Sequence, residues 1–184
     1  MGNRKSNTES LSHNDQSGIG PVVSAKHLAS GAMPALSEIE FALNITNNAY
    51  QRWMMRASAA SGYTGLAAND VLVLHSINHR NRDKSLSDLC LVLNVEDTHL
   101  VNYSIKKLEG IGLITTGKRG KEKIATITSK GQEACEKYRQ IREALLVESI
   151  KSLGLDESDL SHIATVLRSL SGQYEQASRS AASL

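Results

Sequence analysis

Thr98, His99, Asn102, Tyr103 and Lys106 are spaced so that, on one helix, they share the side opposite Val101, Ile105 and Leu108. Asparagine pairs with adenine edges, histidine and threonine bond several bases, and lysine reaches phosphate or guanine. Asp97 precedes them, as a helix-capping carboxylate would. A few residues on, Lys118, Arg119, Lys121 and Lys123 crowd a stretch that contains Gly117 and Gly120. A solvated helix face and a solubilising hairpin use the same residue types, so local charge has to decide between the readings. From Asp97 to Lys130 there are seven basic and three acidic residues, whereas Glu133 to Glu175 holds five basic and eight acidic ones. The positive charge is therefore concentrated around those side chains, and a polyanion is the ligand that such a patch attracts.

Other groups that could do chemistry give weaker patterns. His75 and His79 stand four apart on one predicted helix, a metal-compatible spacing, but no third ligand lies near them in sequence, so they read as structural or surface histidines and no metal site is assigned. Cys90 and Cys135 form no C-x-x-C pair. Cys90 falls on an apolar stripe and reads as a small core residue, while Cys135, near Lys137 and Arg139, is expected to be partly exposed, where a redox switch could sit. Tyr50, Trp53 and Tyr138 read as core or dimer contacts. No nucleophile elbow, phosphate-binding loop or His-Glu-x-x-His motif occurs, so no enzyme and no cofactor is expected.

The chain's 184 residues, 40% of them hydrophobic, suffice for one domain with a real core plus some tail. A net charge of only +2 excludes a uniformly cationic, histone-like coat. No apolar run approaches the roughly 20 residues that cross a bilayer, and Met1-Gly2-Asn3-Arg4-Lys5-Ser6 is not the opening of a secretory signal. A soluble, cytoplasmic protein without a membrane partner is expected.

The elements that must position these residues follow from periodicity. Residues 1–35 hold both prolines, show no sustained hydrophobic period, and are expected to be a flexible arm. A first helix is predicted from Leu36, with Ser37 and Glu40 as a capping box and Leu36 stapled to Phe41, ending near Ser61-Gly62. A second starts at Asn69 or Asp70 and runs toward Arg80. Ser85 and Asp88 cap a third, which Asn94 ends, and a fourth occupies about Asp97 to Glu109 before Gly110-Ile111-Gly112. The period then changes to two over Leu113–Thr116 and Lys123–Thr128, a hairpin whose tip is Gly117 to Lys121. A capping box at Ser129 and Gln132 opens a long helix that Gly154 interrupts. Asp156 or Ser158 starts a last helix carrying Leu160, Ile163, Leu167, Leu170 and Tyr174, with residues 176–184 expected to fray. The fold class is mainly α with a small β-hairpin: a winged helix-turn-helix over 66–129, and a helical dimerisation region over 36–62 and 130–175.

In this order, Ser85 to Asn94, the Leu108-Glu109-Gly110-Ile111-Gly112-Leu113 segment, the basic hairpin and Ile127-Thr128-Ser129-Lys130-Gly131 together resemble the MarR-type winged-helix transcriptional regulators over about residues 36–172. Two features depart from the family pattern. The wing reads Gly-Lys-Arg-Gly-Lys-Glu-Lys where the family usually carries Asp-x-Arg, which makes Arg119 the substitute for an arginine in the minor groove. The turn between the two short helices is also one residue longer than usual. The resemblance implies a homodimer that binds double-stranded DNA at a pseudo-palindromic operator and responds to a small, often aromatic ligand. The alternative is a winged-helix module that binds protein and has no intrinsic affinity for DNA.

Overall fold

The structure, a computed structural model, describes residues 22–184. Seven α-helices and three short strands are present among them. The helices are α1 (Pro34–Ala60), α2 (Ala68–Asn78), α3 (Leu86–Leu93), α4 (Thr98–Gly110), α5 (Ser129–Ile141), α6 (Glu148–Lys151) and α7 (Glu157–Ala181). The strands β1 (Lys84–Ser85), β2 (Ile114–Arg119) and β3 (Glu122–Ile127) form one antiparallel sheet in the order β1-β3-β2. A π-helical stretch, Arg142–Val147, joins α5 to α6 without a break in helical dihedrals.

Among the described residues, 22–50 form one compact unit and those from Gln51 a second. Most of the arm expected over 1–35 lies outside the described residues. Its remainder contains a single 3-10 turn, Leu28–Ser30, and the Ser37 hydroxyl donates to the Leu28 carbonyl at 2.9 Å. Ser37 is thus not the cap of the first helix. That helix begins at Pro34, whose preset φ suits a first turn and whose missing N–H is no loss there.

In the second unit the core joins Met54 of α1, Val71, Val73, Leu74 and Ile77 of α2, Leu89 of α3, Val101, Ile105 and Leu108 of α4, and Ile114, Ala125 and Ile127 of the sheet. Ala134 and Cys135 bring α5 into it. Cys90 and Trp53 pack against this cluster as partly buried residues. Cys135 does not match its expected exposure: it is only 6% accessible, because the stripe that begins at Ala134 turns it inward. Burial pushes its thiol up to about 11. In a Cys90→Ser background, native Cys135 is expected to react with a thiol reagent at pH 8 roughly a hundredfold more slowly than in the unfolded chain, from the thiolate fraction alone; equal rates would refute its burial.

Several connections follow the sequence closely. Ser85 and Asp88 form the expected capping box, and Asn94 closes α3 in the left-handed conformation, φ 53°. The Leu-Glu-x-x-Gly-Leu segment ends α4 with Leu113 N–H donating to the Leu108 carbonyl at 3.0 Å and Gly112 at φ 74°. Thr128, rather than Ser129, caps α5: its hydroxyl oxygen accepts from Gly131 N–H at 3.1 Å, three residues on, and the hydroxyl lies 2.9 Å from the Gly112 carbonyl oxygen. Gly131 is required there, since a Cβ would stand 2.1 Å from the Leu113 carbonyl oxygen. The hairpin strands reach further toward the tip than expected, so that Lys118 and Arg119 are strand residues. The two-residue strand β1, pairing Lys84 with Ala125, is too short to leave a periodic signal. At the far end α7 continues to Ala181, through the segment expected to fray.

Candidate nucleic-acid interface

Helix α4 is started by Asp97, whose carboxylate accepts from His99 N–H at 2.9 Å. That contact explains the acidic residue at the edge of a basic patch, since a carboxylate there satisfies amides that a helix start leaves open. Val101, Ile105 and Leu108 are buried, which turns Thr98, His99, Asn102, Tyr103 and Lys106 outward. Of these Asn102 is half-buried and the other four are exposed, Tyr103 by 66%. The structure therefore brings the five helix candidates onto one accessible face.

The hairpin is held at a set angle to that face. Glu109, near the end of α4, accepts from both the N–H and the hydroxyl of Thr116, at 3.1 and 2.6 Å. At the other edge the Thr126 hydroxyl donates to Asp83 at 2.7 Å. The register places Lys118 directly opposite Lys123 and Arg119 opposite Glu122. Arg119 and Glu122 form an open ion pair at 3.7 Å with both side chains largely exposed, a contact worth little in water. Lys118 and Lys123 are like charges on directly opposed sites, an arrangement that costs free energy unless an anion lies against it. Lys121 is exposed at the tip.

Not every cation of the patch is available. Lys107 is drawn inward, its ammonium 2.7 Å from both the Asp70 carboxylate and the Gly65 carbonyl. Lys130 donates to the Ile111 carbonyl at 2.7 Å and stands 6.0 Å above the Tyr63 ring. Counting charge along the sequence does not reveal these two commitments, because both partners of each lysine are distant in the chain. Asp70 is 1% accessible. Burial raises its carboxyl pKa, but hydrogen bonds from Lys107, Ser104 and Ala67 N–H outweigh that and leave it below the usual carboxylate value.

His75 packs edge-on against Tyr138, ring centroids 4.6 Å apart, and burial pushes its imidazole pKa down. It borders a cavity of about 340 Å³ between α2 and α3, lined also by Leu72, Ser76, His79, Lys84 and Leu89. No group of three or more His, Cys, Asp or Glu among the described residues could hold a metal ion.

Two short helices, a second one with a polar outer face, and a cationic hairpin tied to its end define a winged helix-turn-helix. Residues 66–131 match the family described as winged helix DNA-binding domain. Over a longer stretch the fold is similar to that of solved MarR-family transcriptional regulators. It is similar to a MarR-family regulator from Rhodococcus sp. RHA1, at 14% identity over 72% of this chain and 91% of that one, TM-score 0.60. It is similar also to a mutant MarR from E. coli complexed with operator DNA, at 17% identity, 77% and 99% coverage, TM-score 0.60. A third is CouR from Rhodococcus jostii RHA1 bound to p-coumaroyl-CoA, at 16% identity, 72% and 90% coverage, TM-score 0.60. No curated protein sequence matches the chain significantly.

Proposed function

We propose that this chain is a MarR-like, sequence-specific transcriptional regulator that acts as a homodimer on double-stranded DNA. The observation that carries this reading is the pair of opposed lysines, Lys118 and Lys123, on a wing tethered to the open face of α4. In it, α4 enters the major groove, where Thr98, His99, Asn102 and Tyr103 meet base edges and Lys106 a phosphate. The wing lies along the flanking backbone, with Lys118, Lys121 and Lys123 on phosphates and Arg119 directed at the minor groove. Regions 36–62 and 130–175 pair the subunits and set the two recognition helices about 34 Å apart, one turn of a pseudo-palindrome. These side chains bind rather than catalyse. No helix among the described residues is long and apolar enough to cross a membrane, and the cytoplasm is the compartment in which the reading places the protein.

Response to a small aromatic ligand belongs to the same reading. The α2–α3 cavity, with apolar walls from Leu72 and Leu89 and polar groups from Ser76, His79 and Lys84, suits such a molecule, and the similar CouR binds p-coumaroyl-CoA. The alternative, a protein-binding module, is favoured by Leu91 and Val92, which stand 82% and 70% exposed on α3.

Salt separates the two. Each protomer offers five cations to the duplex, Lys106, Lys118, Arg119, Lys121 and Lys123, so gel-shift titration on genomic fragments is expected to give a log–log salt slope of about −4 to −5 per engaged protomer. Absence of binding at low salt refutes the proposal and leaves the protein-binding module.

A further inference from the structure

Asn69 and Asp70 at the start of α2 reach across to α4 through a group of polar contacts centred on the buried Ser104–Asp70 hydrogen bond. The Ser104 hydroxyl donates to Asp70 at 2.6 Å and accepts from the Asn69 amide at 2.9 Å. The same amide lies 3.3 Å from the Leu100 carbonyl oxygen. The Lys107 ammonium donates to the second Asp70 oxygen, which also accepts from Ala67 N–H at 2.8 Å. Leu100, Ser104 and Lys107 follow one another at helical spacing, so a whole edge of α4 is bonded to one end of α2.

The Asp70 side chain is 2% accessible and that of Lys107 30%; such a half-buried carboxylate–ammonium pair is a poor device for stability, because desolvating the carboxylate offsets much of the attraction and apolar residues of similar volume often serve as well. What it supplies is direction. The apolar contacts of Val101, Ile105 and Leu108 tolerate small rotations of α4 about its axis, whereas hydrogen bonds weaken steeply with angle. A turn of about 20° moves a side-chain tip at about 5–6 Å from the axis by about 2 Å, enough to lose a base-edge hydrogen bond. Contacts to phosphate by long lysines on the wing survive such a shift.

We infer that Asn69, Asp70, Ser104 and Lys107 are positioning residues that set the rotation of α4, and with it DNA sequence discrimination rather than overall affinity. The inference rests on the DNA-binding reading above. It is tested with duplexes that the wild-type protein enriches from a randomised library, each compared with a random-sequence duplex at fixed salt. The variant Asp70→Leu/Ser104→Ala/Lys107→Met replaces the latch by apolar side chains. It is expected to melt cooperatively and to keep the salt slope of non-specific binding, while the ratio of selected to random affinity falls at least about tenfold, the equivalent of one lost base contact. A folded variant with the wild-type ratio overturns the inference. If that variant does not fold, Ser104→Ala decides, since it removes only the hydroxyl between Asn69 and Asp70: a ratio lowered about threefold or more supports the latch, and an unchanged ratio refutes it. A wild-type protein that enriches no sequence refutes the DNA-binding reading itself, and the latch falls with it.

Discussion

Replacing Lys118, Arg119, Lys121 and Lys123 together by alanine is expected to weaken duplex binding by about two to three orders of magnitude at low salt, and to flatten the salt slope by about three to four units per protomer. The expectation rests on where these charges sit. Lys118 faces Lys123 across the ladder, and Arg119 faces Glu122 at a distance that adds little to stability. Removing the two lysines relieves a repulsion and uncovers no buried partner, so the folded state does not suffer. Melting temperature should therefore hold or rise while affinity collapses. A structural role for the wing cations predicts the opposite pairing of results. Gel shifts at three or four salt concentrations, with a melting curve on the same sample, separate the two. Unchanged binding by a folded variant would mean that the wing does not touch DNA.

The parts of this fold that sequence reasoning reaches are those in which a residue type meets a local backbone requirement. Ser85 with Asp88, Asn94, Asp97 and Asp156 each cap a helix from within three residues, and each does so in the structure. The outer face of α4 was legible for the same reason, because burial of Val101, Ile105 and Leu108 leaves only one side for Asn102 and Lys106. Contacts between distant segments were not legible. The drawing of Lys107 into Asp70 and the pairing of Lys84 with Ala125 depend on how α2, α4 and the sheet meet. Cys135 shows the boundary between the two kinds of knowledge: its charged neighbours in sequence suggest exposure, and one turn of helix phase reverses that. Start positions shift where two residues could serve, as with Pro34 against Ser37 and Thr128 against Ser129, and the geometry of the preceding loop chooses.

On the proposed dimeric reading, substituting Ile163→Asp and Leu167→Asp on α7 is expected to convert the protein to a monomer and to lower its affinity for an enriched palindromic duplex by about a hundredfold or more. Helix α7 is 25 residues long and has no buried residue within the protomer. Yet Leu160, Ile163, Leu167 and Tyr174 recur at spacings of three, four and seven and leave a continuous apolar stripe open. A helix of that kind gains its stability from the surface that covers its stripe, and in a homodimer a two-fold axis supplies the same stripe from the second copy. Since α7 contributes nothing to the core of the winged-helix unit, the substitutions leave that unit folded; the Asn94 amide donates to Glu175 of α7 at 3.1 Å. Each detached monomer then holds a single recognition helix, and the advantage of binding a second half-site at high effective concentration is gone. Sedimentation gives the mass and a gel shift the affinity. A variant that remains dimeric places the subunit contact elsewhere, and a monomer that binds with wild-type affinity removes dimerisation from the recognition mechanism.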